Sequence, residues 1–196
     1  KNIYFESLGG ASGDMLLGAF LGLGINLDEL TNELKKLNID KFNIKIEDVV
    51  LHGISGVRAS VEVEDNHNHH GRHLSTIIKI INDSSLNDEI KNEAIKVFQI
   101  IGEAEAYIHN IDIEKIHFHE VGAMDSIIDI VGCCIAKHLL GIDKIGIRSL
   151  PSGFGTIECA HGIYPNPAPA TSKILEGFPV EVVDEPYELV TPTGAA

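Results

Sequence analysis

Four of the chain's ten histidines, His67, His69, His70 and His73, fall inside one polar stretch, Asn66–His73. Imidazole is a good ligand for nickel, zinc or copper, and several on one loop bind and release an ion faster than a rigid cage does. Such a loop suits handing a metal on, although the spacing does not choose the metal. A second run, His117-Phe118-His119-Glu120, reads as a strand. Alternation then sends His117 and His119 to one face, half of a metal site, with Glu120 at the strand end to turn inward or support a ligand. The plainer readings are a solvated loop and a pair of hydrogen-bonded sheet histidines.

Carboxylates complete the candidate set. On a helix starting near Ser126, Asp125, Asp129, Gly132 and Ala136 fall along one stripe, and Asp14, Gly18 and Gly22 do the same on an earlier helix. Small residues let helices approach closely. The expectation is that the two stripes pack together, bringing Asp14 to Asp125 and Asp129 as a cation or substrate site. Alternatively each Asp only complements a helix N-terminus, worth about 0.3–1 kcal/mol. The loop Gly9-Gly10-Ala11-Ser12-Gly13 before the first helix can offer backbone N–H groups to an anion. It is neither a Walker loop nor a dinucleotide fingerprint. His161 follows a second glycine loop, Ser152–Thr156, and Cys133, Cys134 and Cys159 read mainly as small buried residues.

The elements that must position these groups are short strands alternating with helices. Ile3–Glu6 is a strand and Asp14–Leu23 a helix. Leucines at 27, 30, 34 and 37 mark another helix. The alternation at Phe42, Ile44, Ile46 and again at Val57, Ala59, Val61, Val63 predicts two strands of an antiparallel hairpin. Asn87 caps a long helix reaching about His109. Further helices are expected over Leu74–Ile81, Ser126–Leu140 and Ala170–Glu176, and strands over Lys144–Leu150 and Val180–Val183. The fold class is α/β, a mixed sheet with helices packed on it and an antiparallel hairpin. Thr191-Pro192-Thr193-Gly194-Ala195-Ala196 reads as the opening of a helix, and more protein is expected after it.

Composition narrows the function classes. Twenty-nine acidic against 15 basic residues give a net charge of −14. That argues against a sequence-independent nucleic-acid binder and against docking on an anionic membrane. Three cysteines, two adjacent, are no disulfide framework and fit a reducing cytoplasm.

Taken together, several motifs resemble those of the nickel-pincer cofactor biosynthesis family, the LarC nickel insertases. They are Tyr4-Phe5-Glu6 with Gly9–Met15, His117–Gly132, Gly153–Gly155 with His161-Gly162, Pro165–Thr171 and Thr191–Ala196. The His-rich stretch followed by Arg72-His73-Leu74 sits where that family has one. Glu6 stands where its pattern has Asp. The resemblance implies a nickel chelatase of the lyase class. It inserts Ni2+ into pyridinium-3,5-bisthiocarboxylic acid mononucleotide, with CTP hydrolysis and Mn2+ or Mg2+. It also implies that residues 1–196 form an amino-terminal α/β domain of a longer insertase, with nucleotide binding largely in a further, carboxyl-terminal domain.

The roles it suggests are catalysis by His119, Glu120 and Asp125, and substrate or cofactor binding by Gly9, Gly10, Ser12, Gly13, Asp14 and His161. Metal capture falls to His67, His69, His70, His73, His117, His119, Asp125 and Asp129. Assembly with further copies of itself is left open. Two other classes use the same residues: a non-catalytic nickel storage or delivery protein, and a metal-dependent phosphohydrolase built on Asp14, Asp125 and Asp129.

Overall fold

A computed structural model describes residues 1–51, 53–64, 72–118, 121–159 and 162–196. In chain order the elements are β1 (Asn2–Phe5), α1 (Gly13–Gly22), α2 (Leu27–Leu34), β2 (Phe42–Leu51), β3 (Ile54–Val63), β4 (Arg72–His73), α3 (Leu74–Asp83), α4 (Asp88–His109) and β5 (His117–Phe118). They continue with α5 (Met124–Leu139), β6 (Lys144–Ile147), β7 (Leu150–Ser152), β8 (Thr156–Cys159), β9 (Gly162–Pro165), α6 (Pro169–Ile174), β10 (Val180–Val182) and α7 (Pro192–Ala195). No helix among the described residues is long and apolar enough to cross a membrane.

The α/β class and the antiparallel hairpin are as expected, but the strands do not join into one mixed sheet. Among the described residues they pair two by two: β1 with β6 and β7 with β10 in parallel, β2 with β3, β4 with β5 and β8 with β9 antiparallel. Most of these pairs are two to four residues long, too short to carry a core by themselves. The core is helical instead. Leu17, Leu30, Leu34, Ile77, Ile81, Phe98, Ile101, Ile127, Ile128, Val131 and Ile135 are fully buried in one cluster.

At its centre lies α5, whose Ile127, Ile128, Ile130, Val131, Cys134 and Ile135 are all buried. A helix apolar on most of its circumference must be surrounded, and α1, α2, α4 and β3 surround it. Local signals fix the flanking helices. The Asn26 side chain accepts from the N–H groups of Asp28 and Glu29 at 2.8 and 3.1 Å, and that of Asn87 from Glu89 N–H at 2.8 Å. Asn110, at φ 51°, ends α4 in the left-handed region.

The predicted packing of α1 on α5 is observed, but through a different stripe. A β-carbon placed on Gly13 would lie 2.8 Å from Asp129 Cβ, and one on Gly132 would lie 3.1 Å from Leu17 Cδ1, so the contact runs along Gly13 and Leu17. Gly18 and Gly22 face the hairpin instead. A β-carbon on Gly18 would come within 2.8 Å of the Val57 carbonyl oxygen and 3.2 Å of Ala59 N. The correction has its reason in helix geometry: residues 14, 18 and 22 lie about 100° round the helix from 13, 17 and 21.

The two glycines therefore respond differently to added volume. Gly18→Leu pushes on hairpin backbone, and urea unfolding should show a loss of about 1–3 kcal/mol. Gly22→Ala, whose nearest neighbour would be Val57 Cγ2 at 3.5 Å, should leave the midpoint nearly unchanged. Equal effects would contradict the packing.

Candidate functional site

The start of α1 and the start of α5 open onto a cleft of about 490 Å³. Six carboxylates, Asp14, Glu105, Asp125, Asp129, Glu158 and Glu188, line it together with His109 and His117, and no lysine or arginine is among the described residues that do. Widely separated parts of the chain supply these acids, so their convergence is a property of the fold. With six carboxylates and no lysine or arginine among the described wall residues, the cleft attracts cations and repels free anions.

Helix geometry places the central three. Asp14 is in the first turn of α1, where its Oδ1 accepts from Ser12 Oγ and from Met15 N–H at 2.9 Å. Asp125 is in the first turn of α5 and accepts from Ser126 N–H at 2.8 Å. Both stay exposed. Asp129 lies one turn deeper, against Gly13, and its Oδ1 is buried with no hydrogen-bond partner among the described residues. Burial, then the charges of Asp14 and Asp125, push its carboxyl up to about 7. Asp14, Asp125 and Asp129, expected to meet, line the same cleft.

His73 and His117 also meet. They are direct partners in the β4–β5 register, with ring centroids 4.9 Å apart and planes inclined at 58°. His73 Nδ1 lies 3.0 Å from the Ile116 carbonyl oxygen. A carbonyl oxygen accepts only from an N–H, so that contact places a proton on Nδ1; in the neutral ring Nε2 then keeps its lone pair, the arrangement usual for a metal-binding histidine. His117 reaches from this pair into the cleft. Among the described residues, no three His, Cys, Asp or Glu side chains group closely enough to hold a metal ion unaided. The proposed ligands and catalytic groups His67, His69, His70, His119, Glu120 and His161 lie outside the described residues.

The first glycine loop divides its work. Ser12, Gly13 and Asp14 line the acidic cleft, while Gly9, Gly10 and Gly13 border a second, largely apolar groove of about 800 Å³. Gly10, at φ +110°, has a packing reason for being glycine: a β-carbon there would sit 1.9 Å from the Leu189 carbonyl oxygen. That carbonyl accepts from Ala11 N–H at 2.8 Å, and Thr191 N–H returns a bond to Ala11 at 3.1 Å. The loop thereby docks residues 189–194, whose Thr191–Thr193 form part of the cleft wall.

Several cleft residues are not apparent from the sequence. Glu105 and His109, paired at 3.3 Å near the end of α4, carry a signal in their four-residue spacing. Glu188 and Tyr164 carry none, because only the docking of late segments brings them in. Of the three cysteines expected to be buried, Cys134 is, whereas Cys133 and Cys159 are half-buried. Burial and the neighbouring thiol push Cys133 well up, and burial with nearby Glu93 pushes Cys134 up to about 12.

The nickel insertion protein family matches residues 3–196. The chain belongs to that family. It is 48% identical over 196 residues to a Staphylococcus epidermidis protein, 45% over 203 to one from Geobacillus kaustophilus, and 43% over 196 to one from Desulfitobacterium hafniense. Each relative is named a pyridinium-3,5-bisthiocarboxylic acid mononucleotide nickel insertion protein. The alignments cover all of this chain but 49, 49 and 48% of those relatives, so it spans about half their length. No solved structure matches it.

Two measurements check the electrostatics. Asp129 has a folded-state pKa above its unfolded value, so the native chain binds the extra proton and its stability falls as pH rises from about 4 through 7. Between pH 5 and 8 the parent chain should lose roughly 2–3 kcal/mol of unfolding free energy that Asp129→Asn does not lose. Parallel curves would show that Asp129 is not burdened. A thiol reagent at pH 7 should label Cys159 quickly and leave Cys133 and Cys134 unmodified until the chain unfolds. Rapid labelling of all three would contradict the shielding of the adjacent pair.

Proposed function

We propose that this chain is the metal-receiving domain of a nickel insertase of the chelatase type, whose acceptor is pyridinium-3,5-bisthiocarboxylic acid mononucleotide. The observation that carries the reading is the convergence of carboxylates and imidazoles, with no lysine or arginine among the described lining residues, on one cleft in a chain of the nickel insertion protein family. Imidazoles of His73 and His117 take up Ni2+, joined by His67, His69, His70 and His119 from the sequence on either side. Borderline nitrogen donors suit nickel, and ligands on short connections release it again.

The acceptor's chemistry sets the order of events. Its two thiocarboxylates flank one ring carbon, so an ion held by both sulfurs lies against that carbon. Insertion replaces the carbon–hydrogen bond with a carbon–nickel bond and releases a proton. An acceptor carrying a phosphate and two thiocarboxylates is repelled by a wall of six carboxylates until a cation neutralises it. Nickel therefore enters first and the acceptor second. His119, Glu120 and Asp125 are the groups assigned to orient the ion and take the proton. The N–H groups around Gly9, Gly10, Ser12 and Gly13, with Asp14 and His161 alongside, are assigned to the acceptor's phosphate end. Where CTP takes part with Mn2+ or Mg2+, Asp14, Asp125 and Asp129 are the hard oxygen donors at hand. The remaining half of a protein of the relatives' length would supply most of the nucleotide site.

The test uses the full-length protein with nickel, CTP, Mn2+ or Mg2+ and the mononucleotide, with absorbance of the coloured complex as the readout. Asp125→Asn should lower the insertion rate at least tenfold with the fold intact by circular dichroism. A parent protein that binds nickel yet forms no complex would be a storage or delivery protein. One that hydrolyses general phosphoesters without nickel would be a phosphohydrolase. Either result overturns the proposal.

A further inference from the structure

The strand pair that brings His73 and His117 together is only two residues long on each side. A ladder of that length does not hold itself in water. Three attachments hold it. Phe118 is buried in the main core beside Leu74, and His73 Nδ1 is tied to the Ile116 carbonyl. The third is Arg72. Its Nη1–H donates to the Gly122 carbonyl oxygen at 2.7 Å in a partly buried position.

Gly122 is seated directly on this strand. A β-carbon there would lie 2.6 Å from Arg72 N and 2.6 Å from the Phe118 carbonyl oxygen. Arg72 therefore joins β4, which carries His73, to the segment leading from β5, which carries His117, into α5, which carries Asp125 and Asp129. Because side chains alternate along a strand, Arg72 and Phe118 occupy one face of the pair while His73 and His117 occupy the other. The guanidinium clamps from behind the imidazoles. A charged donor on a carbonyl is among the stronger neutral-acceptor hydrogen bonds, and Lys, with a single flexible ammonium, reproduces it only in part.

We propose that Arg72 is a positioning residue for nickel capture: its bond to the Gly122 carbonyl sets the His73 and His117 imidazoles at the separation where one ion bridges both. This rests on the nickel reading of the cleft and adds the group that makes two otherwise independent histidines act as one site. Metal–imidazole bonds are about 2.0–2.1 Å, so two rings 4.9 Å apart reach a common ion only while their strands keep this register.

The experiment measures Ni2+ binding by calorimetry in the whole chain, comparing the effect of His73→Ala in the parent and in an Arg72→Met background. With His73 and His117 bridged, His73→Ala should weaken binding about tenfold in the parent. With the clamp removed, the same change should cost less than twofold, because His73 has already stopped contributing. Arg72→Lys should restore part of the difference. The visible d–d spectrum of bound Co2+ should shift in Arg72→Met and return toward the parent in Arg72→Lys, a change that a loss of stability alone would not produce. Circular dichroism checks the fold; if Arg72→Met does not fold, Arg72→Gln, which keeps a donor of shorter reach, takes its place with an intermediate effect expected. An equal cost of His73→Ala in both backgrounds, with an unshifted Co2+ spectrum, overturns the role of Arg72. No cost of His73→Ala in the parent overturns instead the nickel reading of the histidine pair on which it rests.

Discussion

The close contact between α1 and α5 is the constraint on which the rest depends. Gly13 leaves room for Asp129, and Gly132 leaves room for Leu17, so the two helices approach with their first turns side by side. Each helix begins with an aspartate that its own N-terminal N–H groups favour. Separately, those acids are ordinary helix starts. Held together, with a third carboxylate one turn deeper and partly desolvated, they form a field that only a cation or a proton relieves. The electrostatic burden at Asp129 is thus a consequence of apolar packing elsewhere along the same interface.

Around this contact the molecule is built of helices that make the core and short strand pairs that carry chemistry to its rim. The β4–β5 pair presents two imidazoles, β8–β9 brings Glu158 and Cys159, and the 189–194 segment, threaded against the glycine loop, closes another side. Short ladders anchored by single core residues such as Phe118 hold side chains in register at little cost in buried surface. On the proposed reading, carboxylates at the helix starts and imidazoles on a short, anchored strand pair divide the labour of taking up an ion and releasing it.

Much of this was legible in the amino-acid order. The cap at Asn87, the leucine and isoleucine spacing, and the alternation from Phe42 to Val63 are local signals, and the corresponding elements are observed within a few residues. The pairing of acids at the starts of two helices was legible as well, because Asp14 and Asp125 each stand at a recognisable N-terminus. The glycine-rich stripe of α1, however, does not face α5. Gly18 and Gly22 serve the hairpin, and nothing local distinguishes a glycine that admits a helix from one that admits a strand.

By itself the sequence determined the α/β composition, the main helices and the long hairpin, the acidity and the set of imidazoles and carboxylates, since each arises from propensity, periodicity or charge within a few turns of chain. Only the tertiary structure decided that the strands pair two by two, that His73 lies against His117, and that Glu105, His109, Glu158 and Glu188 share a cleft with the aspartates. Those outcomes depend on contacts between residues tens of positions apart. Their free energy comes from filling a common core, and no short window of sequence contains it.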